Sequence, residues 1–430
     1  MTENPLPLAI TQDGGSRLKH LGSEELLGLL VGRRWFGAVG HEPELAHVSS
    51  IVYADDELEL ALVGVQFTGG THSTYVVAVG PNGEDAYEHL PALARLVALA
   101  GVDTPCASAR AIGVEQSNSS VVLDESVVLK LYRRIEAGSS PEVELLRTLE
   151  EAGFASAPRL RGVIVLSDAP LEATLAVVTD FVPSAGGGWE LTLAALAAGD
   201  PGWLPARARR LGEVTGSMHA SLAATSEAHI APEEASSDAV GLLAAAVDED
   251  VVRLASDVVL LAETAIGDRV DDLRDLVRDL ARVGPPGRVL RIHGDYHLGQ
   301  VLWADPGDWV VIDFEGEPGR SLAERRRRMF ALRDVAGMLR SFAYATAASS
   351  LLVGVTAPDG WEAMCRASFV DGWRATVDPR LLPASEPGFE RLLALFEVER
   401  LVYELRYELA NRPDWVGIPV AGLERMLEAS

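Results

Sequence analysis

The sequence predicts an α+β chain of two lobes, strand-rich first and helical second, and three observations carry that prediction. Up to about residue 181, short β-branched runs alternate with Gly-containing turns, the pattern of antiparallel strands. From Trp189 onward, Ala- and Leu-rich amphipathic stretches take over. Between the two, Pro183-Ser184-Ala185-Gly186-Gly187-Gly188 reads as a flexible break. The length of 430 residues agrees, because single hydrophobic cores stop growing at roughly 250–300 residues. The expected division is a β-rich cap over residues 1–100, a second β-rich lobe over 101–185 and a helical lobe over 186–430.

In the cap, a short helix over Ser23–Val31 leads to Arg33-Arg34-Trp35-Phe36-Gly37, and strand-like runs follow at Ser49–Ala54, Leu58–Phe67 and Ser73–Val79. A helix over Pro91–Ala100 closes it. The second lobe opens with strands at Ala109–Val114, Ser120–Leu123 and Val127–Tyr132. Ser139-Ser140-Pro141-Glu142 is a helix start, with Ser as cap, Pro in the first turn and an acid beside it. That helix runs to about Glu151, and strands Arg159–Leu166 and Ala173–Phe181 complete a sheet. In the last lobe, helical patterns cover about 190–199, 203–225, 238–265 and 267–283, then 333–350, 359–376 and 387–411. Short strands at Val289–Ile292, Val301–Ala304 and Trp309–Phe314 interrupt them.

Charge and composition exclude several classes. A formal charge of −26 argues against a nucleic-acid partner, since such binding rests on cations facing phosphates. Cys106 and Cys365 form no disulfide framework and sit at no metal-ligand spacing. The first residues carry neither a basic patch nor an apolar core, so no secretory signal is expected. The charge-free stretch Ser341–Pro358 is broken by Ser, Thr and Gly and reads as a buried helix rather than a membrane span. These features imply a cytoplasmic, monomeric protein with no membrane partner. Of the 37 basic residues only Lys19 and Lys130 are lysines. Lys130 lies in the strand pattern Val127–Tyr132, and a compact ammonium differs from an arginine fork at a phosphate.

The strongest chemical signal is Arg291-Ile292-His293-Gly294-Asp295-Tyr296-His297-Leu298-Gly299-Gln300, followed by Val310-Val311-Ile312-Asp313-Phe314-Glu315-Gly316. An aspartate in a loop, an amide five residues on and a second aspartate ending a strand suit phosphoryl transfer from ATP. One carboxylate, Asp295, would orient the accepting hydroxyl and take its proton. Gln300 and Asp313 would hold Mg²⁺ against the phosphates. His293 and His297 sit in a loop rather than on one helix face, so structural roles suit them better than a metal pair. His293 would hydrogen-bond backbone near the Asp313 turn.

His293-Gly294-Asp295 with Gln300 and Asp313 resembles the aminoglycoside-phosphotransferase branch of the protein-kinase-like superfamily. The longer run His293–Gln300 with Asp313-Phe314-Glu315-Gly316-Glu317-Pro318 is similar to the maltokinase family. Gln116-Ser117-Asn118-Ser119-Ser120, the segment Leu332–Phe342, Asn411-Arg412-Pro413-Asp414-Trp415 and Arg34-Trp35-Phe36 extend the likeness over most of the chain. The resemblance implies a bilobal kinase-like fold with an N-terminal cap, and transfer from ATP to the anomeric hydroxyl of maltose. It implies that Lys130 reaches the nucleotide phosphates, with Glu144 as its helix partner; periodicity alone does not choose Glu144 over Glu142. It makes Gln116, Ser117, Asn118 and Ser119 a loop over the phosphates, although the loop lacks a glycine fingerprint. Thr179–Val182, with Asp180 and Val182, becomes the connector that meets the adenine.

For the sugar, the late helix offers Tyr403, Glu404, Tyr407 and Glu408, with Trp415 beyond it as a stacking plane and His293 and Glu315 on the catalytic side. Glu404 and Glu408 share one helix face. Acids there would accept sugar hydroxyls. An aminosugar acceptor is the alternative, since either acid could meet an ammonium group. A non-catalytic sugar-binding pseudokinase is a further alternative, although Lys130, Asp295 and Asp313 are all present.

Overall fold

The computed structural model describes residues 16–33, 35–36, 42–112, 118–168, 171–236, 238–256 and 267–428. The chain divides into two compact units, one formed by the residues up to Arg147 with Pro158–Pro183 and Pro318–Glu324, the other by Thr148–Ala157, Ser184–Glu317 and the residues from Arg325 on.

The first unit contains two antiparallel sheets. Strands β1 (Pro43–Ala54), β2 (Glu59–Phe67) and β3 (His72–Val79) form one, in that order, beside helix α1 (Ser23–Leu30). Helix α2 (Leu90–Leu99) leads to the second sheet, built from β4 (Ala109–Ala111), β5 (Asn118–Leu123), β6 (Val127–Tyr132), β7 (Leu160–Asp168) and β8 (Leu171–Asp180) in the order β4-β5-β6-β8-β7. Helix α3 (Pro141–Glu151) follows β6. Strand β2 is buried almost throughout, and the period of two explains why. Ala61, Val63 and Val65 face α1 through Leu26 and Leu30. Leu60 and Leu62 face Leu93, Leu96 and Val97 of α2 and the second sheet through Leu123, Leu129 and Ile164. The two sheets therefore share one core. Strand β1 begins at Pro43, six residues before the expected Ser49, because its exposed first half carries Glu44 and His47 and lacks an apolar pattern.

In the second unit, Ser184–Gly188 of the expected break is ordered structure. Residues Ser184–Gly187 form strand β9, and helix α4 (Gly188–Ala197) starts at once. Helices α5 (Pro205–Ala223), α6 (Ala239–Ser256) and α7 (Val270–Leu280) follow, and the two-residue strands β10 (Glu233–Glu234) and β11 (Arg288–Val289) pair. The remainder of the expected 238–265 helix lies outside the described residues. Strand β12 (Val301–Ala304) pairs with both β9 and β13 (Asp308–Val311). The expected strand Trp309–Phe314 thus stops at Val311, and Asp313 takes a left-handed φ of 65°. The last helices are α8 (Leu332–Val353), α9 (Trp361–Thr376), α10 (Glu386–Asn411) and α11 (Gly417–Glu428). Helix α11 lies beyond the last expected helix, and its Pro419 falls in the first turn, where proline is tolerated. Among the described residues, no helix is long and apolar enough to cross a membrane.

Candidate active site

The expected catalytic loop of the second unit is docked along one face of α8. The Asp334 carboxylate accepts the backbone N–H groups of His293 and Gly294, each at 2.9 Å. One turn on, a Cβ at Gly337 would lie 2.5 Å from the Tyr296 carbonyl oxygen, so only glycine permits this approach. One turn further, Ser341 Oγ accepts Leu298 N–H at 3.0 Å. The three positions follow helical spacing. Asp334 is in turn held by His219 Nε2 at 3.0 Å. Trp373 Nε1–H donates to His219 Nδ1 at 3.0 Å, so Nε2 carries the ring proton and donates to Asp334. Burial works against the Asp334 anion, but the bond from His219 and the neighbouring imidazoles hold its pKa below the ordinary value. None of these supports was assigned a role in the sequence, although Leu332–Phe342 was among the segments carrying the family likeness.

His293 is buried, and its Nε2 donates to the Ile312 carbonyl at 2.9 Å. This matches its expected structural role and corrects its place among the substrate-side residues, because at 1% exposure it has no face left for a sugar. Gln300 Nε2 donates to Asp313 Oδ2 at 3.0 Å. The pair suits a hard cation. Two neighbouring oxygens on an octahedral Mg²⁺ lie ~2.9 Å apart when each Mg–O bond is ~2.0–2.1 Å, and rotating the amide would present Oε1 instead of Nε2. Glu315 is half-buried, and its carbonyl accepts Arg325 Nη1–H at 3.2 Å.

Asp295 meets a residue from a helix 105 positions further along the chain. Arg400 of α10 places Nη2 3.3 Å from Asp295 Oδ1. Its Nη1 lies 3.9 Å from Glu317 Oε2. Burial opposes the Arg400 cation, yet Asp295, Glu317, Glu399 and Glu404 outweigh it and push its pKa above the ordinary value. Arg333 completes the arrangement, donating to the Gly294 carbonyl at 3.0 Å and pairing with Glu317 at 3.2 Å and Glu399 at 3.2 Å.

The expected sugar residues of α10 do gather. Tyr403 hydrogen-bonds Glu317, and burial together with that carboxylate pushes its hydroxyl up to about 12. Glu404 faces Arg340, whose Nη2 lies 2.9 Å from Oε2; burial raises the Glu404 pKa despite this pairing. Glu408 is buried, accepting Tyr344 Oη–H at 3.2 Å and Arg412 Nη2–H at 2.7 Å on Oε1, while Oε2 has no hydrogen-bond partner among the described residues. The Arg412 guanidinium also lies 5.4 Å from the Tyr407 ring centroid and 4.7 Å from that of Trp415, which stacks on Tyr344 at 6.4 Å. One carboxylate and two aromatic rings thus surround a cation.

In the first unit, buried Lys130 places Nζ 3.2 Å from Glu142 Oε2. The carboxylate meeting the lysine is Glu142, correcting the choice of Glu144. Two residues apart on a helix means about 200° of rotation, so the two acids of this turn point to different sides. Tyr132 Oη–H donates to the same Glu142 oxygen at 2.7 Å, and Ser140 Oγ accepts Glu142 N–H at 3.3 Å. Asn118 and Ser120 pair with Tyr132 and Lys130 across the sheet and so share the lysine's face. Ser119 is on the other face, where its Oγ accepts Arg133 Nε–H at 2.7 Å, so its expected phosphate contact is corrected by strand parity. Gln116 and Ser117 lie outside the described residues. Asp180 pairs with Arg161 at 2.8 Å, and Val182 is half-buried just before the unit boundary.

Comparison with known proteins agrees with the motif. The glucosamine kinase of Streptacidiphilus jiangxiensis is 30% identical over 345 residues, 75% of this chain and 74% of that one. The glucosamine kinase of Mycolicibacterium smegmatis (strain ATCC 700084 / mc(2)155) is 29% identical over 337 residues, 74% of this chain and 79% of that one. A solved glucosamine kinase in complex with glucosamine, ADP and inorganic phosphate is similar at a TM-score of 0.66 and 23% identity, over 93% of this chain and 98% of that one, so the fold is shared. Residues 107–365, which include Lys130, Asp295, Gln300 and Asp313, match the model of the phosphotransferase enzyme family, and the chain belongs to that family.

Proposed function

We propose that the chain is an ATP- and Mg²⁺-dependent kinase whose acceptor is an aminosugar, with glucosamine ahead of maltose. The observation that carries this choice is the Arg412 cation held against Glu408, Tyr407 and Trp415. Acids and aromatic faces also suit a neutral sugar, but a neutral sugar does not take the place of a cation held between them. A substrate ammonium does, and it would replace the Arg412 guanidinium, whose side chain is 45% exposed. The two curated relatives bear the name glucosamine kinase, which supports the same choice over the maltokinase likeness.

In this reading Asp295 accepts the proton of the acceptor hydroxyl as its oxygen bonds to the γ-phosphorus, and the bond to the β-phosphate oxygen breaks, leaving ADP. Lys130, steadied by Glu142, meets the nucleotide phosphates. Gln300 and Asp313 would hold Mg²⁺, which neutralises phosphate charge when bound. The helix α8 supports keep the Asp295 loop in place, so catalysis rests on positioning and charge neutralisation.

The test is ATP consumption with glucosamine, N-acetylglucosamine, maltose and trehalose, followed by product identification. Glucosamine should turn over fastest, and N-acetylglucosamine, which lacks the cation, should be poor. Faster turnover of maltose would return the acceptor to the maltokinase reading. No phosphorylation of any sugar would favour the pseudokinase.

A further inference from the structure

Arg400 has an unusual pair of contacts for a helix residue. Its two terminal nitrogens reach two different carboxylates, Asp295 at 3.3 Å and Glu317 at 3.9 Å. Glu317 is itself held by Arg333 at 3.2 Å, and Arg333 returns to the catalytic loop through the Gly294 carbonyl at 3.0 Å. The chain of contacts Asp295–Arg400–Glu317–Arg333–Gly294 therefore closes on two adjacent residues of one loop. All three linking side chains are buried. A Cβ at Gly337 would stand 3.5 Å from Arg400 Nη2, so α8 limits the guanidinium on a second side.

A general base needs its carboxylate in one orientation, yet an aspartate side chain turns about two bonds. We propose that Arg400 is a positioning residue for the reaction, holding Asp295 by Oδ1 so that Oδ2 is presented to the acceptor hydroxyl. The inference rests on the reading of Asp295 as the base. Lysine is an imperfect replacement, because a single ammonium does not reproduce a planar fork that spans two carboxylates. Arg400 also shares α10 with Tyr403, Glu404 and Glu408, so the element that would recognise the acceptor also sets the base.

The experiment is steady-state kinetics of Arg400→Met, Arg400→Lys, Asp295→Asn and the Asp295→Asn/Arg400→Met double variant, using the best acceptor of the sugar panel. Arg400→Met should lower kcat by about tenfold or more while the KM values for ATP and acceptor stay within about threefold, the signature of a loss felt in the transition state. Arg400→Lys should recover part of that loss. In the Asp295→Asn background the arginine change should alter the residual rate by less than about twofold, since residues that act through one another are not additive. Because Arg400→Met leaves Glu317 without one of its cations, Arg400→Met/Glu317→Gln serves as the folded control, with thermal melting as its check. Parent-like kcat in either arginine-free enzyme, or a full further loss in the Asp295→Asn background, overturns the proposal. Parent-like turnover of Asp295→Asn itself would instead overturn the base assignment.

Discussion

Lys130 and Asp295, one in each unit, are held over different distances along the chain. Lys130 meets Glu142 at 3.2 Å, and Tyr132 reaches the same carboxylate across ten residues, through a strand, a turn and the first turn of a helix. Asp295 meets Arg400 across 105 residues, and its neighbour Gly294 meets Arg333 and Asp334 across 39 and 40. The first arrangement forms once β6 and α3 fold beside each other. The second requires α8 and α10 to pack together before Asp295 meets its cation. Removing a linking cation should therefore destabilise the second unit far more than removing Lys130 destabilises the first.

The largest expected effect is catalytic. Asp295→Asn should keep ADP and Mg²⁺ binding by calorimetry and lose about 10²–10⁴-fold in turnover. Next comes stability: Arg333→Met strips the buried Glu317 of a partner and should cost about 3–5 kcal/mol in urea unfolding. Lys130→Met leaves the equally buried Glu142 a hydrogen bond from Tyr132 Oη to the very oxygen the lysine meets, within one local turn, and should cost less. Equal losses from the two would break the comparison.

Smaller effects sharpen it at the acceptor and nucleotide ends. Glu408→Gln should raise KM for glucosamine about 10–100-fold, matching the ~1.5–3 kcal/mol of a hydrogen bond to a charged group, and should leave KM for ATP unchanged. Glu142→Gln should weaken nucleotide binding more than Glu144→Gln, as read by ADP titration.

The smallest effect is a pH dependence confined to the catalytic loop. Burial is the largest influence on His297 and pushes its pKa below the ordinary value. As pH falls through about 6.5, the unfolded chain takes up a proton that the folded chain resists. This part of the stability is complete above that pH and lost below it, and His297→Gln should flatten the corresponding slope in melting temperature.

Much of this was legible in the residues. Asp295, Gln300 and Asp313 were readable because their spacing is local: a loop, an amide and a strand end brought together by one hairpin. Lys130 was readable as a rare ammonium in a strand, and the acids of α10 by helix spacing. The choice between Glu142 and Glu144 was not, since both lie in one turn and only the packing of α3 against Tyr132 selects a side. Strand parity could have turned Ser119 away from the lysine's face had the β5–β6 register been known.

The sequence by itself determined most of the order of elements and the family, because these follow from local periodicity and from motif spacing. Only the tertiary structure decided which charges meet. Arg400 has Glu404 one turn away, a pairing that helix geometry allows, yet its guanidinium lies against Asp295 and Glu317. Buried carboxylates without a cation are costly, so the packed core, rather than the helix surface, dictates the partners of Arg333 and Arg400.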